Sequence, residues 1–211
     1  MTLPGPTMRE TAFQTIKQGI VNGVWAGGTF LSEKKLSEQL QMSKTPIRSA
    51  LDRLEAVGLI KLVPNQGFVV QEISMKKIME IYELRLSLET FAANHLTGKM
   101  GPEFFERLDA ILAEQAAATE QEDIVRYVDL DRQFHESIIL GMDNEEYAEA
   151  MARIQDKFIM AVRTTFYRNK ARLWGSLDEH RQIRSALAES DPAKTVNLVA
   201  HHIQFVEQIM L

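Results

Sequence analysis

The sequence predicts a mostly α-helical protein in two parts: an N-terminal winged helix-turn-helix with a small β-hairpin wing over residues 1–73, and a C-terminal all-α, six-helix antiparallel bundle over residues 74–211. Three observations carry this. Lys35 to Leu54 has a helical apolar spacing broken once, around Gln41–Ser43. Two short β-prone runs flank the turn residues Pro64-Asn65-Gln66-Gly67. From Met75 onward the apolar pattern is helical throughout, with no strand-like alternation.

In the first part, Thr7 and Glu10 have capping-box spacing. They start a helix whose apolar face is Phe13, Ile16, Ile20 and Val24, closed by Gly23 and Gly27-Gly28. In the helix-turn-helix the apolar positions are Leu36, Leu40, Met42, Ile47, Ala50, Leu51 and Leu54. Ser43 is placed to cap the second helix, and Pro46 is tolerated in a first turn. Lys44, Thr45 and Arg48 then stand at the exposed N-terminal end of that helix, where a helix-turn-helix meets base edges and phosphates in the major groove. Ser43, at its head, joins that candidate set. Gly58 ends the helix, and Leu59–Val63 and Phe68–Val70 form the wing.

The run Leu31-Ser-Glu-Lys-Lys-Leu-Ser-Glu-Gln-Leu, then Ser43-Lys-Thr-Pro-Ile-Arg-Ser-Ala-Leu, Arg53-Leu-Glu-Ala-Val-Gly-Leu-Ile and Pro64-Asn-Gln-Gly resembles the winged helix of GntR-family transcriptional regulators. The resemblance implies that Lys34, Lys44 and Arg48 are the principal basic contacts to a double-stranded DNA operator. It implies also that Thr45 touches phosphate or base and that Gly67 is a wing tip entering the minor groove. A homodimer would present two such heads to half-sites about one helical turn apart, ~34 Å. Two positions depart from the family. Lysine stands at 34 and 44 where arginine is usual, a point charge in place of a planar fork. Gln41 stands where glycine is usual, and a left-handed backbone there costs roughly 1–2 kcal/mol.

Composition fits this division. The 211 residues are 45% hydrophobic and 25% charged, enough for two modest folded domains and too apolar for disorder. Between Met8 and Ile73 stand eight basic residues (Arg9, Lys17, Lys34, Lys35, Lys44, Arg48, Arg53, Lys61) and six acidic ones (Glu10, Glu33, Glu38, Asp52, Glu55, Glu72). That +2 balance leaves −7 to the remainder of a chain of net charge −5. A slightly basic head on an acidic body suits a DNA reader with a separate sensory domain. The absence of cysteine excludes disulfides and thiolate metal sites. Met1-Thr-Leu-Pro-Gly-Pro-Thr has neither a basic nor an apolar leader segment, and no stretch approaches a membrane span, so a cytoplasmic location without membrane contact is expected.

Glu72-Ile73-Ser74 is a short joint without Gly or Pro, which predicts a limited set of domain orientations. Ser74 can cap a long helix from Met75 to about Thr97. Further breaks near Gly98–Pro102, Glu120–Asp123, Gly141–Asn144, Asn169–Ser176 and Ser190–Pro192 separate six helices. Such a domain resembles the FCD ligand-sensing domain of one GntR branch, and six helices rather than seven resemble its VanR-like subgroup.

Some polar residues fall inside apolar stripes. Asp131 and His135 share the face of Ile124, Val128, Ile138 and Met142, four residues apart, whereas Asp129 and Glu136 fall on a polar face and need no partner. In the last helix His202 lies with Leu198, Phe205 and Ile209, while His201 lines up with Asn197, Gln204 and Gln208 and faces water. Ser176 and Glu179 have capping-box spacing, which places His180 in a first turn, where the helix dipole disfavours its protonated form. His180 shares its face with Leu177, Ile183 and Leu187. Tyr167 and Trp174 read as core or pocket wall, and His95 as a partly exposed helix-end residue.

Any one inward histidine is more often a hydrogen-bonded core residue than a ligand. Three of them with one aspartate, from three helices of one bundle, make a candidate site for a divalent transition metal: Asp131, His135, His180 and His202. The resemblance to metal-binding FCD domains implies the same four residues. Zn²⁺ is the expected ion, with Ni²⁺ or Mn²⁺ as alternatives. Four protein ligands leave positions open on a five- or six-coordinate ion, which a small carboxylate effector can fill. Arg85, on the inner stripe with Ile78, Ile81, Leu88 and Ala92, suits the same carboxylate or, equally, an internal salt bridge with Glu89. The leading expectation is a metabolite-responsive transcriptional regulator, a repressor rather than an enzyme. A metal-dependent hydrolase, or a regulator with a purely structural ion, are the alternatives.

Overall fold

A computed structural model of the chain describes residues 5–210, with the side chains of all but 164 and 206–210. Ile209 of the last helix's apolar stripe and Gln208 of its polar face therefore lie outside the described side chains. The chain divides at Ile73/Ser74 into two compact units.

The first unit contains α1 (Met8–Val21), β1 (Phe30–Leu31), α2 (Glu33–Leu40), α3 (Lys44–Ala56), β2 (Ile60–Val63) and β3 (Gly67–Val70). Thr7 caps α1, its hydroxyl accepting from the Glu10 N–H at 3.2 Å. Phe13, Ile16 and Ile20 are buried as the spacing predicts, but Val24 is not part of that face. The helix ends at Val21, so Val24 falls in the following turn and is 72% exposed. α1 packs on α3 through a core that includes Ile47, Ala50, Leu51 and Leu54. Arg53 reinforces this pair: its guanidinium lies 3.8 Å from the Phe13 ring centroid and donates to Glu10 at 2.8 Å.

The turn between α2 and α3 contains the departure at position 41. Gln41 ends α2 with φ 52° and ψ 40°, a left-handed backbone adopted by a residue with a Cβ. Ser43 occupies the N-cap position of α3, but its hydroxyl makes no cap hydrogen bond. The residue three places on, whose N–H such a cap usually engages, is Pro46, which has none.

The wing is the expected β2–β3 hairpin, joined by β1 into a three-stranded antiparallel sheet of order β1-β3-β2. The two-residue strand β1 is too short to show alternation in the sequence. Its Phe30 and Leu31 pair with Val69 and Phe68. This third strand also redefines Gly67. Opposite Val63 in the β2–β3 register, it is the first residue of β3 and not the tip of the turn, which Asn65 occupies with φ 63°. Gly67 has φ 101°, and a Cβ there would stand 2.9 Å from the Leu31 carbonyl oxygen, so the close approach of β1 requires glycine.

The second unit contains α4 (Met75–Leu96), α5 (Pro102–Glu120), α6 (Ile124–Leu140), α7 (Glu145–Arg168), α8 (Arg172–Ala188) and α9 (Pro192–Met210), six helices among the described residues. Ser74 caps α4, accepting from the Lys77 N–H. α4 packs against α9, α6 and α7; α6 lies between α5 and α7; α8 packs on α5 and α9. The apolar core, with Tyr82, Leu108, Tyr127, Phe134, Ile138, Phe158, Leu177, Ile183, Val199 and Ile203, surrounds a small polar centre.

One boundary differs from the sequence expectation. Ser176 and Glu179 do not open a helix: α8 starts four residues earlier, at Arg172, and Ser176 is buried inside it. Gly175 does not break the helix. A Cβ at that position would stand 2.8 Å from an Arg172 Nη1, so the missing side chain leaves room for a guanidinium lying back along its own helix. His180 is consequently in the third turn, beyond the reach of the N-terminal dipole. Tyr167 and Trp174 are more than half exposed and belong to neither core nor pocket wall. No helix among the described residues is long and apolar enough to cross a membrane.

Candidate metal centre and nucleic-acid interface

Asp131 and His135 lie on consecutive turns of α6, His180 on α8 and His202 on α9, and all four are buried. One potential ligand atom from each falls within 4.8 Å of all the others. The Nε2 atoms of His135 and His202 are 3.1 Å apart, those of His180 and His202 3.3 Å, and His180 Nε2 stands 3.5 Å from Asp131 Oδ1. His201, adjacent to His202, is exposed, as the periodicity predicts.

The other ring nitrogen of each histidine fixes its tautomer. His135 Nδ1 is 2.6 Å from Glu89 Oε2, His202 Nδ1 is 2.6 Å from Glu179 Oε2, and His180 Nδ1 is 3.0 Å from Gln115 Oε1. These partners are acceptors, so each Nδ1 carries the proton and donates. Three Nε2 lone pairs then converge, which is repulsive unless a cation lies among them. The spacing suits one: nitrogens about 2.0–2.1 Å from an ion such as zinc, at angles of about 90–110°, are ~2.8–3.4 Å from one another. Asp131 Oδ2 is buried without a hydrogen-bond partner, a second sign that the donor set fits a metal.

Burial governs the electrostatics. It raises the Asp131 carboxyl to about 6 and holds all three imidazoles below their ordinary value, His180 furthest because the other two histidines also repel its charge. Burial would raise Glu89 and Glu179 as well. Instead Arg85 and His135 hold Glu89 down to about 2, and His202 with Arg172 do the same for Glu179.

Arg85 is buried, with its Nε 2.7 Å from Glu89 Oε1 and its guanidinium 3.8 Å from the Phe158 ring centroid. The salt-bridge reading of Arg85 is therefore realised, yet its Nη2 is left without an acceptor. Beside it lies a cavity of about 10 Å³ lined by Arg85, Arg132, His135, Met151, Ile154, Gln155 and Phe158. Asp129 and Glu136 do have a partner, Arg132, which each engages from the polar face of α6. Glu179, Arg172 and Gln115 carry no site signal that the sequence pattern exposes. Arg172, Ser176, His180, Ile183 and Leu187 step along one face of α8, a signal hidden by reading Gly175-Ser176 as a break.

On the first unit, Lys34, Ser43, Lys44, Thr45 and Arg48 are all exposed. Lys44 and Thr45 form the first two residues of α3, and Arg48 stands one turn on with its Nε 3.8 Å from Glu33 Oε1. Gly67 is set apart from them by its structural task against β1.

Residues 8–70 match the model of the gntR family of bacterial regulatory proteins, and residues 80–205 match that of the FCD domain. The chain is 34% identical over 129 residues to the gluconate operon transcriptional repressor of Bacillus subtilis, covering 61% of this chain and 53% of that one. It is 24% identical over 205 residues to the transcriptional repressor RspR of Escherichia coli, covering 97% and 90%. Among solved structures, E. coli McbR/YncC has the same fold, with a TM-score of 0.83 at 23% identity over 98% of this chain and 100% of that one. These relatives are regulators of transcription and not enzymes. With a DNA-binding head and an FCD domain that together span most of its length, the chain belongs to the GntR family and is a transcriptional regulator of the FCD branch.

Proposed function

We propose that this regulator works in the cytoplasm as a homodimeric repressor, and that a small carboxylate bound at a divalent ion in the FCD domain sets its affinity for an operator. The convergence of three Nε2 atoms and one carboxylate on a single buried point carries the reading. Zn²⁺ is the favoured ion, since three imidazoles with one carboxylate match its usual donors; Ni²⁺ and Mn²⁺ share enough of that chemistry to compete. When bound, the ion supplies a Lewis-acidic centre to which a carboxylate oxygen can coordinate. Arg85 offers the unpaired Nη2 to the carboxylate's other oxygen. Charge supports a monoanion: Glu89 offsets Arg85 and Glu179 offsets Arg172, which leaves a divalent ion facing Asp131 alone.

Lys34, Lys44, Thr45 and Arg48 are the proposed contacts to duplex DNA, with Ser43 beside them at the head of α3. Gly67 shapes the wing and Asn65 forms the tip it presents.

One observation favours a second reading, an ion that only braces the bundle. The cavity beside Arg85 holds no more than about one water, so a carboxylate enters only if α7 gives way. Chelation separates the two. If the ion has a sensing role, chelator-treated protein stays folded, binds operator and loses its response to carboxylates. If the ion only braces, chelation melts the helical domain. A hydrolase has less support, because Glu89 and Glu179, the acids that contact the histidines from behind, are each tied to an arginine and a histidine.

A further inference from the structure

Two of the three imidazoles are each backed by a glutamate that an arginine also holds. On α4, Arg85 Nε donates to Glu89 Oε1 at 2.7 Å while Glu89 Oε2 takes the His135 Nδ1 proton at 2.6 Å. On α8, Arg172 donates through Nη1 to Glu179 Oε1 at 2.8 Å and through Nη2 to Oε2 at 2.5 Å, and the same Oε2 takes the His202 Nδ1 proton at 2.6 Å. Each guanidinium lies over an aromatic ring, Arg85 on Phe158 and Arg172 on Phe205 at 4.6 Å. His180 is backed differently, by the neutral Gln115 amide, and is stacked on Phe134 with centroids 4.3 Å apart.

We infer that Glu89 and Glu179, each clamped by its own arginine, are positioning residues that lock His135 and His202 in the Nδ1–H tautomer and so aim both Nε2 lone pairs at one metal. This rests on the metal-binding reading above. A carboxylate can accept from an arginine and an imidazole at once. A glutamine amide has one oxygen and one NH₂ and cannot where the two donors meet different oxygens, as they do at Glu89. In Glu89→Gln the oxygen stays with Arg85 Nε, and the NH₂ turned toward His135 favours the opposite tautomer, with the proton on Nε2, where it blocks coordination. Glu179 differs, because its Oε2 alone accepts from both Arg172 Nη2 and His202 Nδ1, a double role that one amide oxygen can keep; Glu179→Leu removes that acceptor outright. A carboxylate acceptor also makes the ring a stronger donor to the ion than an amide does, so His180 is the weakest of the three ligands.

The test uses full-length protein labelled with ¹⁵N-histidine, with chelator-competition titration of Zn²⁺. Metal-free wild type is expected to show His135, His180 and His202 all protonated on Nδ1. Folded Glu89→Gln is expected to move His135 to the Nε2–H form and folded Glu179→Leu to free His202 from the exclusive Nδ1–H form, each binding Zn²⁺ about 10–100-fold more weakly. Folded variants with unchanged tautomers and affinity would overturn the inference, as would His135 or His202 protonated on Nε2 in the wild type, a measurement that needs no variant. Wild type that binds no ion while its tautomers are as stated would instead overturn the metal-binding reading and leave the locking of the rings intact.

Discussion

Glu89 is held in common by Arg85 and His135: one carboxylate oxygen accepts from the guanidinium Nε at 2.7 Å and the other faces the imidazole Nδ1 at 2.6 Å. The residue proposed to grip the effector and a residue proposed to grip the metal are thus joined through one buried acid. Replacing either neighbour changes what the other can do.

This shared acid sets the outcome of Arg85→Ala. The substitution strips the proposed effector contact, but it also leaves Glu89 ionised and buried without its strongest partner, a loss of roughly 3–5 kcal/mol in such settings. Thermal denaturation should therefore show a markedly lower Tm for the helical domain, along with loss of the carboxylate response. An unaltered Tm would mean that the pair contributes nothing to the fold.

Adding Zn²⁺ to metal-free protein should raise the Tm of the helical domain, by the equivalent of ~2.7 kcal/mol at a hundredfold excess over Kd. Chelator should reverse the rise. His180→Ala should remove most of it, because that ring supplies one of the converging nitrogens. Equal stabilisation of wild type and His180→Ala would place the ion elsewhere.

At the head, Lys44→Ala and Arg48→Ala should each weaken operator binding. For every phosphate that the variant no longer neutralises, the slope of log K against log salt should become shallower by about one unit. Arg48 is the sharper probe, since its guanidinium is exposed and its interaction with Glu33 is long and solvent-screened. Normal operator binding by Arg48→Ala would contradict the proposed interface.

Gln41→Gly should stabilise the head. Relief of the left-handed backbone, roughly 1–2 kcal/mol, outweighs the roughly 0.5–1 kcal/mol of extra chain entropy that glycine loses on folding. Trp25 fluorescence during denaturant unfolding, in a Trp174→Phe background, would report it. A lower midpoint would show that Gln41 makes a compensating contact.

Much of this protein is legible in its sequence because the informative residues follow helix periodicity. The four-residue step from Asp131 to His135 and the separation of His202 from His201 follow from a 3.6-residue repeat, and burial selects the same side chains. The features that escape the pattern depend on contacts between distant segments. β1 is defined only by its pairing with Phe68 and Val69, and Gly67 owes its identity to the Leu31 carbonyl rather than to a turn. Gly175 reads as a helix break until Arg172 is seen lying over it, and that misreading hides Arg172 and Glu179 together. The i,i+4 spacing marks Glu89 as a partner for Arg85, but its place beside His135, like that of Gln115 beside His180, comes only from the packing of α4 and α5 around α6 and α8.

The central claim is that a metal ion occupies the point where His135, His180, His202 and Asp131 meet. Anomalous X-ray scattering from crystals of the intact protein, recorded on both sides of the zinc absorption edge, tests it most directly. One peak per chain is expected, about 2.0–2.2 Å from each of the three Nε2 atoms and from an Asp131 oxygen. Zinc-soaked crystals with no peak there, and the imidazoles hydrogen-bonded to one another, would contradict it.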